Sequence, residues 1–159
     1  MRGEPTQRIS KKALPVWRIK AGIDSAIFAL FPIGYGIAIS FFSFPFWILW
    51  VLIAMVFTYS VVSIFIMPIL RWKRWRFDVL EDEIDLQHGV FVVKRTLVPM
   101  IRVQHVDTEH GPILRKYGLA TVTISTAATV HRIPALPFEQ ADELRDSISK
   151  LATVADEDD

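Results

Sequence analysis

From residue 25 to residue 70 no charge interrupts a run of predominantly apolar residues, and beyond residue 75 the pattern changes to short alternating runs rich in Val, Ile, Thr and Phe. A single membrane-crossing helix needs about 20 apolar residues to span roughly 30 Å of hydrocarbon. The uncharged stretch is about twice that, so it crosses twice. The natural break is Ser43-Phe44-Pro45, where the proline disfavours helix continuation and the serine can cap the next segment. This predicts a transmembrane hairpin over residues 21–70, with helices at about 21–42 and 44–70. The second is longer than one straight crossing requires, so it tilts or protrudes.

The alternating half predicts antiparallel β structure. Strands are expected at about 76–80, then through Ile84, Leu86 and His88 on one face, then at 90–98, 102–107, 119–125 and 130–136. Glu81-Asp82-Glu83 makes the first turn and Gly89 the second. His110-Gly111-Pro112 cannot continue a central strand, and residues 113–117 read as a helical turn ended by Gly118. An amphipathic helix closes the domain over residues 138–151, with Phe138, Ala141, Leu144, Ile148 and Leu151 at helical spacing. The expected organisation is a basic N-terminal segment (1–20), the hairpin (21–70), a small mostly-β domain (72–152) and an acidic tail (153–159). The terminal helix plugs one open end of a bent sheet or partly open barrel.

Charge orients this arrangement. Arg8, Lys11, Lys12, Arg18 and Lys20 precede the first helix, Arg71, Lys73, Arg74 and Arg76 follow the second, and the connecting turn carries none. The positive-inside rule then puts both termini in the cytoplasm of a multi-pass protein of the cell (plasma) membrane. Trp17, Trp47, Trp50, Trp72 and Trp75 lie near helix ends, where an indole suits the headgroup layer. Trp72 and Trp75 alternate with basic residues in a way that would also suit nucleic acid, but directly after a span the anchor reading is stronger and no nucleic-acid partner is expected. Ala38-Ile39-Ser40 resembles a signal-peptide cleavage site, a weaker reading because a second apolar span follows without interruption.

Within the spans, Asp24 sits one turn from the boundary beside Lys20 and reads as an interface residue. Pro32, Gly34 and Gly36 make a small-residue patch suited to close packing inside the hairpin, with homo-oligomerisation through that face as the alternative.

Composition refines the picture only in places. The 159 residues have a mean hydropathy of +0.33 at 22% charged residues, so apolar and charged residues are segregated along the chain. The net charge of +1 hides a gradient from basic flanks to the terminal Asp156-Glu157-Asp158-Asp159, which reads as a solvated, frayed end. With no cysteine there is no disulfide, thiolate metal site or cysteine nucleophile.

The densest ionisable cluster would project His105, Asp107 and Glu109 toward one face of a strand. A metal site can be built from such residues, but a polar strand edge running into a turn is the simpler reading. His88 and His131 stand alone. No nucleophile elbow, phosphate loop or metalloprotease motif occurs, so no catalytic, cofactor-binding or metal residue is assigned and no enzyme is expected. Lys94, Arg95 and Arg102 form the most suggestive basic group, for contact with a partner protein or anionic headgroups, against the simpler reading of a solvated face.

The runs Val98-Pro99-Met100-Ile101-Arg102-Val103-Gln104-His105-Val106-Asp107 and Gly111-Pro112-Ile113-Leu114-Arg115-Lys116-Tyr117-Gly118-Leu119-Ala120-Thr121-Val122-Thr123-Ile124 resemble the bacterial pleckstrin-homology family of YdbS-like membrane proteins. The likeness covers about residues 72–151, and the preceding hairpin is similar to that family's architecture. It implies a pleckstrin-homology-like fold, a bent antiparallel sheet closed by a C-terminal helix. It also implies a non-enzymatic role at the membrane beside a larger multi-domain relative, and more weakly a link to cell-envelope stress and antimicrobial-peptide resistance. Where inositol-phosphate binders of the wider superfamily place Lys and Arg in the first turn, this chain has Glu81-Asp82-Glu83, which repels phosphate. The expected function is therefore a membrane-anchored interaction module that docks a larger pleckstrin-homology-like membrane protein. The alternative is a sensor of anionic lipid or membrane state, held to membrane lipids by Arg71, Lys73, Arg74 and Arg76.

Overall fold

The computed structural model describes residues 3–157, so Asp158 and Asp159 of the expected acidic tail lie outside the described residues. Residues 17–69 form one compact unit, and the segments up to residue 16 and from residue 70 together form the other.

A two-residue strand β1 (Gln7–Arg8) precedes helix α1 (Ala13–Phe41). That helix starts eight residues earlier than hydropathy suggests. The Ser10 hydroxyl accepts from the Lys12 N–H at 3.2 Å, and the Ser10 carbonyl accepts from Ala13 N–H at 3.1 Å. Pro15 sits in the first turn, where no intrahelical N–H bond is lost. Arg18 and Lys20 are thus on the helix rather than before it.

Helix α2 (Trp47–Val61) starts three residues later than expected, because Pro45 disfavours helical backbone in the residue before it. It continues through a π-helical segment (Val62–Ile66) into α3 (Met67–Arg74). The Met67 N–H donates to the Val62 carbonyl, five residues back, one position before Pro68, which has no N–H to give. The wider turn therefore sits where the proline would break the α ladder. Arg71, Lys73 and Arg74 occupy the last turn of this helix, favourable for its dipole, rather than following it.

Both continuous runs, Ala13–Phe41 and Trp47–Arg74, are long and apolar enough to cross a membrane. Within their unit Phe28 meets Tyr59 edge-on at 4.9 Å, and the Tyr35 hydroxyl donates to the Pro45 carbonyl at 3.0 Å. A Cβ at Gly36 would touch Leu49, whereas one at Gly34 would meet nothing. Gly36 thus faces the second helix, as close packing inside the hairpin requires.

The other unit holds two antiparallel sheets. The first has the order β1-β2-β3-β4, with β2 at Arg76–Val79, β3 at Glu83–His88 and β4 at Lys94–Pro99. A 3-10 turn (Met100–Arg102) leads to the second sheet, order β5-β6-β7, with β5 at Val103–Glu109. Helix α4 (Pro112–Lys116) then precedes β6 (Leu119–Thr126) and β7 (Val130–Pro137). Helix α5 (Phe138–Glu157) packs on β5, β6, β7 and the 3-10 turn. The core between them is Phe77, Ile84, Leu86, Met100, Leu119, Val122, Ile124, Ile133, Leu136 and Ile148, all 2% exposed or less.

Three expectations are corrected here. The strand read at 90–98 starts only at Lys94, because Gly89 takes a φ of 118° and turns the apolar run into an unpaired hairpin tip. The terminal helix runs to Glu157, consuming most of the expected tail, since Ala152 to Ala155 contains no helix breaker. Trp72 and Trp75 are not free headgroup anchors. Trp75 is buried and stacks on His88 at 5.6 Å, and Trp72 donates its indole N–H to the Ile9 carbonyl at 3.1 Å.

That last contact belongs to an N-terminal arm, which the sequence does not announce. Gln7 and Arg8 pair with Phe77 and Arg76, which covers the edge of β2. Asp78 accepts from the Thr6 N–H at 2.8 Å and the Thr6 hydroxyl at 2.9 Å, and Glu4 pairs with Arg76 at 2.9 Å. Pro5 and Ile9 are buried. The Ser10 N–H reaches the carbonyl of Ala135, whose φ of 54° sits in a bulge of β7 opposite β6.

Candidate functional site

β4 and β5 are each the edge strand of their sheet, β4 pairing only with β3 and β5 only with β6. Along β4, with the 3-10 turn, Gln104 at the start of β5 and the β6–β7 turn as its other wall, a groove of about 590 Å³ opens. Its lining is mostly apolar: Leu97, Val98, Pro99, Ile101, Ala127, Ala128 and the methyl group of Thr96. Its polar groups are Lys94, Arg102, Gln104, Thr126, Thr129 and His131. An edge strand beside an apolar slot is the arrangement that accepts an added strand, with backbone bonds for affinity and side-chain pockets for specificity. A second groove of about 700 Å³ lies between β5 and α5, lined by His105, Ser149, Thr153 and Asp156 among others.

The basic residues singled out in the sequence separate into three sets. Lys94 and Arg102 share the first groove, although one opens β4 and the other ends the 3-10 turn that follows it. Arg95, one residue along the strand, points to the opposite face, as a period of two demands. There its guanidinium grips the 4%-exposed Asp85 through Nε at 3.0 Å and Nη2 at 2.5 Å, and Nη2 also donates to the Gly3 carbonyl at 2.8 Å. Arg76 is likewise held by Glu4. Arg71, Lys73 and Arg74 are exposed at the end of α3.

At the hairpin between β3 and β4, His88 and Lys94 are cross-strand partners, and His131 of β7 is close enough to feel both. Burial lowers the pKa of each histidine from 6.5, and the Lys94 ammonium lowers it further. His131 acts on His88 in the same direction, and among the described residues no carboxylate acts on either. The Thr129 hydroxyl bonds to His131 Nε2 at 2.9 Å. The Lys94 ammonium therefore stands beside two imidazoles that burial and its own charge hold in the neutral form at neutral pH.

His105, Asp107 and Glu109 are all exposed on β5, and among the described residues no three His, Asp or Glu side chains converge to hold a metal. Sequence reasoning grouped Arg95 with Lys94 where strand alternation separates them. It also missed Asp85, whose charge between Ile84 and Leu86 was the available signal for a buried pair.

The bacterial PH domain family model matches residues 26–152. Over 158 residues the chain is 54% identical to UPF0699 transmembrane protein YdbS of Bacillus subtilis (strain 168), covering 99% of each. Over 86 residues, 52% of this chain and 17% of the longer protein, it is 24% identical to UPF0699 transmembrane protein YdbT of the same organism. No solved structure matches.

Proposed function

The chain belongs to the bacterial PH domain family, and from that membership we propose that it is a non-enzymatic, membrane-anchored docking module whose β4–β5 groove takes an extended segment of a longer relative. The observation that carries this reading is the groove itself, an apolar slot along the edge strand β4 that reaches the start of β5, with Lys94 and Arg102 among its polar residues. An acidic-flanked strand from a partner meets both its backbone and its charge requirements. Likeness to a longer transmembrane protein over a domain-sized stretch supports a partner of that kind. Tethering to one bilayer raises the effective concentration of the two, so a contact of modest affinity is sufficient.

The module resides in the cell membrane as a multi-pass protein with both ends in the cytoplasm. The basic ends of the helical runs support that orientation, and so does the arm, since residues 3–10 are hydrogen-bonded into the β domain and share its side of the bilayer. Its proposed setting is cell-envelope stress. A headgroup sensor acting through Arg71, Lys73, Arg74 and Arg76 is weaker, since Arg76 is committed to Glu4.

The test is gentle extraction of the tagged chain from its native membrane, followed by quantification of the longer bacterial PH-domain relative bound to it. Recovery at a fixed ratio, lost in a Lys94→Glu, Arg102→Glu variant that still folds, supports docking through the groove. Recovery of the chain alone, or of the relative unaffected by both reversals, overturns it.

A further inference from the structure

The most exposed large apolar side chains of the described residues are not on the helices that cross the membrane. Phe91 is 87% exposed and Val92 80%, at the tip of the β3–β4 hairpin, with Val93 also exposed at 40%. The turn that presents them is built rather than slack, for a Cβ at Gly89 would collide with the Val92 carbonyl oxygen. Soluble surfaces seldom gather several such residues at one point unless something covers them.

What stands behind the tip indicates the cover. His88 and Lys94 form the last rung of the hairpin, and His131 adjoins them. Arg95, the next residue, is satisfied by Asp85 on the other face. The base of the tip therefore presents the Lys94 ammonium, with the two histidine rings packed beside it. A protein partner's core would need an opposing acidic ring at that depth. An anionic bilayer supplies both layers in the right order, phosphate and glycerol groups outside and hydrocarbon within. The domain is also never far from one, since the same chain carries two membrane-length helices.

We propose that the 89–93 hairpin tip inserts Phe91 and Val92 into the interfacial layer of an anionic bilayer, with His88, Lys94 and His131 at headgroup depth. The cover is thus a lipid surface, and the insertion is independent of whether the β4–β5 groove docks a partner.

The chain has no cysteine, so Val92→Cys gives a single site for an environment-sensitive fluorophore, with Glu81→Cys in the acidic turn as the aqueous reference. The full-length protein is reconstituted in vesicles of phosphatidylcholine alone or mixed with phosphatidylglycerol. The expected result is a blue shift and loss of iodide quenching at position 92 in the phosphatidylglycerol vesicles, independent of protein density and absent at position 81. Phe91→Asp in the same labelled chain returns the probe to water while leaving Lys94 and Arg102, and hence groove docking, intact. A probe that stays aqueous in both vesicles overturns the proposal. So does shielding that grows with protein density regardless of lipid, which identifies the tip as a contact between copies.

Discussion

Asp85 and Arg95 lie diagonally across the β3–β4 ladder, where the carboxylate accepts from both Nε and Nη2 of the guanidinium. The carboxylate is almost wholly buried and the guanidinium a third exposed. The pair fastens the outer face of the sheet, and the Gly3 carbonyl bonded to the same Nη2 extends it to the arm.

Removing one partner of such a pair leaves an uncompensated buried group, whereas replacing both with apolar side chains removes the need for compensation. Arg95→Leu alone therefore lowers the thermal unfolding midpoint by several degrees. Asp85→Leu added to it recovers most of the loss. Circular dichroism melts of the two variants and the parent in one detergent check this, and a double variant less stable than Arg95→Leu contradicts it.

Ile9 is 2% exposed and anchors the arm, with its carbonyl held by Trp72. Truncating a buried isoleucine to alanine costs about 2–4 kcal/mol through lost burial and the cavity left behind. Ile9→Ala is expected to destabilise the β domain by that amount although the residue lies before the first apolar helix. Urea titration read by tryptophan fluorescence, with Trp75 in the core as reporter, measures it.

The histidine pair gives a pH dependence of definite sign. His88 and His131 have folded-state pKa values below the usual 6.5. In the window just below 6.5 the unfolded chain consequently binds more protons than the folded one, and stability falls as pH is lowered through that window. Burial is the main cause, followed by the Lys94 ammonium and, for His88, the neighbouring His131. Melts of the parent in detergent from neutral to mildly acidic pH decline more steeply than those of a His88→Gln, His131→Gln variant.

Gly89 occupies a backbone region closed to L side chains, at φ 118° and in collision range of the Val92 carbonyl. Gly89→Ala is expected to cost about 1–3 kcal/mol in strain and to displace the tip. Denaturant unfolding gives the first effect. The labelled Val92→Cys chain carrying Gly89→Ala reports the second, as weaker shielding by phosphatidylglycerol vesicles.

What could be read in the sequence was whatever had a period. The spans were legible because charge is absent over residues 25–70, and β6 because Val122 and Ile124 alternate with threonines. The arm was illegible because Glu4, Thr6 and Ile9 follow no repeat and their partners, Arg76, Asp78 and the Trp72 indole, lie more than sixty residues away. Val90 to Val93 has strand composition but no strand to pair with, so propensity was overridden by the turn at Gly89. Of the groove, Lys94 and Arg102 were visible as charges. Their sharing of one groove was not, because it depends on how the 3-10 turn and the β6–β7 turn close on β4 rather than on spacing along that strand.

The pairing of β1 with β2 also sets an order of events during synthesis. Gln7 and Arg8 leave the ribosome before either apolar helix, yet their partners Phe77 and Arg76 are made only after both. Chains fold as their segments emerge, so these oldest residues must wait, unpaired, while the hairpin is inserted. The sheet's outer seam can close only after both apolar helices have been made, once Arg76 and Phe77 have emerged behind them.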